Sequence, residues 1–98
     1  MAKHPANEID VDGTEAFLRE QGLDHLRVRK RGDTLTLLSG PDDDPVPHAR
    51  LRKVTRQWWT LEMPTHTGRW EKTRLRAPRP EVLQTLVDQF PWTLTPIA

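Results

Sequence analysis

From residue 14 onward the chain runs through two hydrophobic periods, and each change of period marks an element. The first is helical: Ala16, Phe17 and Leu23 are apolar, Glu15 and Glu20 fall on the other side, and Gly22 is a stop signal. Thr14 is the expected N-cap, because a threonine hydroxyl accepts a hydrogen bond from an orphan amide of the first turn. Residues 1–12 contain Pro5, Asn7 and scattered charges without a period. They are expected to form a flexible N-terminal arm, with residues 13–98 as a single α+β domain.

The period then drops to two. Residues 26–31 and 34–39 alternate on either side of Gly32-Asp33, a pair suited to a type II′ hairpin turn with glycine in first place. That turn pairs Arg31 with Thr34, Arg29 with Thr36 and Val28 with Leu37. Leu26, Val28, Leu35 and Leu37 then point inward, and Arg27, Arg29 and Arg31 point outward. Pro41, Pro45, Pro47 and the run Asp42-Asp43-Asp44 mark a surface loop. Residues 48–54 and 57–63 alternate again, and a turn over residues 54–56 sets Leu51 opposite Trp59, Ala49 opposite Leu61 and His48 opposite Glu62. After Thr65-His66-Thr67-Gly68, a further strand to about Leu75 places Met63 against Trp70 inside and Glu62 against Glu71 outside.

Pro80 and Glu81 suit the start of a helix, Val82, Leu83, Leu86, Val87 and Phe90 form its apolar stripe, and Pro91 ends it. Trp92 to Ile97 reads as a short edge strand or an extended tail. The fold class is therefore α+β: an antiparallel sheet of about five strands in two or three consecutive hairpins, with an N-terminal and a C-terminal helix on one face. The expected order is α-β-β-β-β-β-α, with or without a last strand. In outline this order is similar to that of the double-stranded-RNA-binding domain, but Pro80-Glu81 stands where that family has a basic helix start.

Composition narrows the picture. At 98 residues there is room for one core, in a domain that buries about 65% of the surface of its unfolded chain. With 35% apolar and 30% charged residues, that core is thin. The absence of cysteine excludes disulfides, thiolate metal sites and cysteine nucleophiles. No apolar run resembles a signal peptide or a membrane span, so a cytoplasmic location without a membrane partner is expected. Charge is segregated: residues 1–24 carry two cations and six carboxylates, residues 25–80 thirteen and six, and residues 81–98 two carboxylates alone.

The outward sheet face is the leading candidate for function. It gathers Arg27, Arg29, Arg31, Arg50 and Arg52, places Trp58 opposite Arg52, and adds Leu75 and Leu38 as an apolar patch. Arginine and an exposed tryptophan, with little lysine, are the composition of a protein-docking hot spot. A small non-enzymatic binding or accessory domain, docking on a protein partner or on a second copy of itself, asks least of this sequence. The alternative is an RNA- or DNA-binding module using the same face, with arginine on phosphates and tryptophan under a base. A second alternative, a small hydrolase or nuclease, rests on a row of His48, Glu62 and Glu71, in which adjacent carboxylates shift each other's pKa beside a base. Three consecutive aspartates point different ways and read as solvated loop. No metal or cofactor is expected.

Overall fold

A computed structural model describes residues 4–65 and 67–94. The turn residue His66 and the tail from residue 95 lie outside the described residues, as do residues 1–3 of the expected arm. The elements are α1 (Glu8–Glu20), β1 (Arg27–Arg31), β2 (Thr34–Ser39), β3 (Val46–Lys53), β4 (Trp59–Pro64), β5 (Trp70–Ala77), α2 (Arg79–Gln89) and a closing 3-10 turn (Pro91–Leu94). The strands form one antiparallel sheet in chain order, each hydrogen-bonded to the next.

Helix α1 starts six residues before the expected Thr14. Its cap is Asn7, whose side chain accepts from the Asp10 amide at 2.9 Å, while the Asp10 carboxylate accepts from the Asn7 amide at 3.1 Å. This reciprocal capping box satisfies two orphan donors at once. Residues 8–12, expected to belong to a flexible arm, are therefore helical, and Ala6 is already buried. Thr14 is no cap: it is fully buried and donates its hydroxyl to the Asp10 carbonyl at 2.8 Å. Gly13 leaves room for the Arg79 guanidinium, which donates to the Asp10 carbonyl at 2.8 Å and to the Thr14 hydroxyl at 3.3 Å. The start of α2 is thereby fastened to α1.

The first hairpin has the expected register, with Arg31 opposite Thr34 and Val28 opposite Leu37. Gly32 has φ +58° and Asp33 has negative φ, the arrangement that lets a two-residue turn match the strand twist. Both helices cover one face. There Leu35, Leu37, Ala49, Leu51, Trp59 and Leu61 meet Leu18 of α1, Val82, Leu83 and Leu86 of α2, and Leu94 of the 3-10 turn. Pro91 ends α2 as expected, and it opens a 3-10 turn rather than a strand. Among the described residues no helix is long and apolar enough to cross a membrane.

Two registers differ from those expected of the sequence. In the β3/β4 pair Arg50 lies opposite Glu62 and Arg52 opposite Thr60, two residues from the expected alignment. The connecting loop spans residues 54–58, closed by the Val54 amide donating to the Trp58 carbonyl at 2.8 Å. In the β4/β5 pair Pro64 lies opposite Trp70 and Met63 opposite Glu71, one residue from expectation. That shift exchanges the faces of β5: Leu75 packs against the core, and Trp70 joins Glu62 on the other side.

Replacing Asn7 with alanine should cost about 1 kcal/mol in urea or thermal unfolding, the usual worth of an N-cap. A helix beginning at Thr14 would leave Asn7→Ala without effect.

Candidate functional site

Strand alternation sends every second side chain to the face that the helices leave open. Two rows run across all five strands: Arg29, Thr36, Arg50, Glu62 and Lys72, and beside it Arg31, Thr34, Arg52, Thr60 and Arg76. Arg27 and Arg74 extend the same face on the outer strands. The opposite side of the molecule is acidic. Helix α1 carries Glu8, Asp10, Asp12, Glu15 and Glu20 against Arg19, and α2 carries Glu81 and Asp88 against Arg79. The charge segregation along the chain has become a segregation across the sheet.

At the centre of the cationic face sits one buried carboxylate. Glu62 is 1% exposed. Arg50 donates from Nε to Glu62 Oε1 at 2.6 Å, with its Nη2 2.5 Å from the same oxygen, and Arg52 donates from Nε to Oε2 at 3.0 Å. Arg52 also reaches Asp33 through Nη1 at 2.8 Å. Burial alone pushes the Glu62 carboxyl up, but the hydrogen bonds from Arg52 and Arg50 outweigh it and hold the group below the ordinary carboxylate range. In return the hydrogen bond to Glu62 raises Arg52 above its usual value despite partial burial. The cluster holds both guanidiniums against the sheet.

A recess of about 270 Å³ opens along β2 beside this cluster. Arg29, Arg31, Thr34, Thr36 and Arg50 line its polar part, and Leu38, Pro45, Pro47 and Trp70 its apolar part. The Arg50 guanidinium lies 4.4 Å from the Trp70 ring centroid, a cation–π contact that fixes both walls. Thr34 Oγ1 donates to the Arg31 carbonyl at 2.7 Å. Thr36 is half-buried, and among the described residues its hydroxyl has no protein partner.

Of the expected binding residues, Arg27, Arg29, Arg31, Arg50 and Arg52 share this face. Arg27 is engaged at its edge by the Gly40 carbonyl and, at 3.4 Å, by Asp42. Trp58 does not oppose Arg52: the longer loop leaves it past the strand end, 42% exposed. Leu75 is on the inner side and Leu38 is 4% exposed, so the expected apolar patch of these three residues does not form. Trp70, expected in the core, is the aromatic of this face. The signal for it was the single pair Leu75 and Ala77, whose common parity puts Trp70 outside.

The catalytic row is also taken apart. Glu62 faces Arg50, Glu71 is exposed opposite Met63, and His48 is 4% exposed and bonded elsewhere. Because the Thr93 carbonyl only accepts, His48 Nδ1 donates to it at 2.6 Å, and Nε2 is hydrogen-bonded to the Ser39 hydroxyl at 2.7 Å. His25 donates to the Leu94 carbonyl at 2.6 Å, and the two imidazoles meet edge to face at 6.1 Å. A hydroxyl on an oriented imidazole resembles an activated nucleophile, but Ser39 is only 8% exposed. The pair serves to dock the 3-10 turn on the sheet end, above a cleft of about 470 Å³ between His48, Met63, Phe90 and Trp92. Among the described residues no group of three histidine or acidic side chains converges as a metal site would require.

Glu62→Gln should destabilise the fold by roughly 2–3 kcal/mol, less than the ~3–5 of a fully buried pair because both arginines reach water. The folded-state pKa of Glu62 lies below its unfolded value. Its contribution is therefore complete above about pH 4.3 and is lost as the pH falls through the folded-state value. Urea unfolding from pH 7 to 2.5 should show a shallower acid loss in the variant. Equal acid slopes would mean that Glu62 is not the group held by Arg50 and Arg52. Compared with protein-family models, with curated proteins and with solved structures, the chain matches none.

Proposed function

We propose that this chain is a non-catalytic binding module that takes a nucleic-acid strand across the open face of its sheet. One observation carries the reading: Arg29, Arg31, Lys72, Arg74 and Arg76 share that face, are exposed, and have no ion-pair partner among the described residues, while the acidic helices lie on the opposite side. Such a field orients an anionic polymer toward one face and away from the other, so a net charge of only +1 does not oppose binding. Arginine forks suit phosphate oxygens, and rows on neighbouring strands provide contacts in series.

Docking on a protein was the lighter demand on the sequence, but it drew on an apolar centre at Trp58, Leu38 and Leu75. A protein hot spot forms around a desolvated apolar or aromatic anchor that stands free to a partner, whereas here Leu75 is on the inner side, Leu38 lies 4% exposed on the floor of the recess, and Trp70 is partly covered by Arg50. An acidic protein surface, including α1 of a second copy, remains the alternative outcome of the test.

Fluorescence anisotropy with labelled mixed-sequence oligonucleotides should show binding at ~50 mM salt that weakens roughly tenfold or more at ~200 mM, as counterion release requires. Arg29→Glu/Arg31→Glu should abolish it, and Trp58→Ala should leave it unchanged. No binding at ~50 mM salt, or binding indifferent to the arginine pair, would overturn the reading in favour of a protein partner.

A further inference from the structure

The recess along β2 differs from the rest of the cationic face. Three guanidiniums border it, from Arg29, Arg31 and Arg50, and the Glu62 carboxylate is bound to the last of them, while Arg52 farther along the face is paired with Asp33. Two positive charges are left over, enough for the single charge of a strand's phosphodiester or the about −1.5 to −2 of a phosphate monoester. The uncommitted guanidiniums are Arg29 and Arg31, and the Thr36 hydroxyl lies between Arg29 and Arg50 in one row. A phosphate over Thr36 would gain a neutral hydroxyl donor from below and charged donors from either side.

The other end of the recess has different chemistry. Along β2 the outward residues are Thr34, Thr36 and Leu38, so the floor passes from hydroxyl to alkyl over about 13 Å. Pro45 and Pro47 wall the alkyl end, and Trp70, pinned by Arg50, closes the side. Flat apolar walls a short reach from an anion site fit a heterocycle carried on a sugar phosphate. About 270 Å³ admits one such unit and no stacked base pair.

We infer that this recess seats a single unpaired nucleotide unit, its phosphate on Arg29, Arg31 and Thr36 and its base against Leu38, Pro47 and Trp70. The inference rests on the nucleic-acid reading above and makes it selective: a duplex keeps its bases paired and offers only its backbone, whereas a single strand can place a base in the recess. The same chemistry is presented by a free mononucleotide, so the strand and the nucleotide are the two sources to distinguish.

The test is a 15N-resolved NMR titration of the full chain with adenosine 5′-monophosphate, ribose 5-phosphate and adenosine. Anisotropy is measured in parallel with a single-stranded 12-mer and its duplex. The nucleotide should bind about tenfold or more tightly than ribose 5-phosphate, the worth of a stacked base, shifting the amides of Thr34, Thr36 and Leu38 and the Trp70 indole. The single strand should bind about tenfold more tightly than the duplex at equal salt. Thr36→Val and Arg29→Gln, each with an unchanged unfolding midpoint, should weaken the nucleotide roughly tenfold. A strand far tighter than the nucleotide identifies the polymer as the source, and equal affinities identify the free nucleotide; both support the recess. Equal binding of nucleotide and ribose 5-phosphate, shifts confined to Arg74 and Arg76, or equal binding of strand and duplex would overturn the recess while leaving the nucleic-acid reading intact. Failure of every oligonucleotide and of the nucleotide would overturn both.

Discussion

The arrangement of the open sheet face depends on one buried carboxylate. Glu62 has almost no contact with water, and an unpaired charge in that position would be too costly to keep. It is satisfied by placing Arg50 directly opposite and Arg52 diagonally, two residue pairs along the ladder. A two-residue slip of β4 that set His48 opposite Glu62 would keep every leucine on its proper face. It would also carry Arg52 four residues along β3 from the position opposite Glu62, out of reach of its carboxylate. The ion cluster, rather than the hydrophobic pattern, thus distinguishes registers that burial alone leaves nearly equivalent.

That register sets the rest of the face. Arg50 is held where its guanidinium covers Trp70, and Trp70 is thereby kept as a wall of the recess. Arg52 is drawn to Glu62 and Asp33, leaving Arg29 and Arg31 as the uncommitted cations across β2. On the far side, α1 gathers carboxylates that cap its own N-terminus or pair with Lys30 and Lys53. Most acid is thus turned toward the helical layer. A protein with net charge near zero acquires one strongly basic surface by placing its carboxylates elsewhere or burying one as a clamp.

The sequence was most legible where two signals agreed. Gly32-Asp33 and the alternation of residues 26–39 gave the first hairpin its register, and Pro80, Glu81 and Pro91 bracketed α2 to within a residue. It was least legible where one signal stood alone. The start of α1 is written in the polar pair Asn7 and Asp10, which a search for apolar period passes over. The β3/β4 loop is longer than alternation requires, because a two-residue slip preserves parity. On β5 the apolar weight of Trp70 competed with Leu75 and Ala77 for the inner face, and the two smaller residues hold it. These register errors determined what could be seen of the site. The arginines on β1 and β3 and Thr36 beside Arg29 were placed on the correct face, whereas Trp70 and the cations of β5 emerged only with the three-dimensional register.

The most direct measurement is the set of interstrand nuclear Overhauser contacts between β3 and β4 in the isotopically labelled protein. Contacts linking Arg50 with Glu62 and Arg52 with Thr60 are expected. Contacts linking His48 with Glu62 and Arg52 with Trp58 would contradict the clamp, and with it the assembly of the cationic face around Glu62.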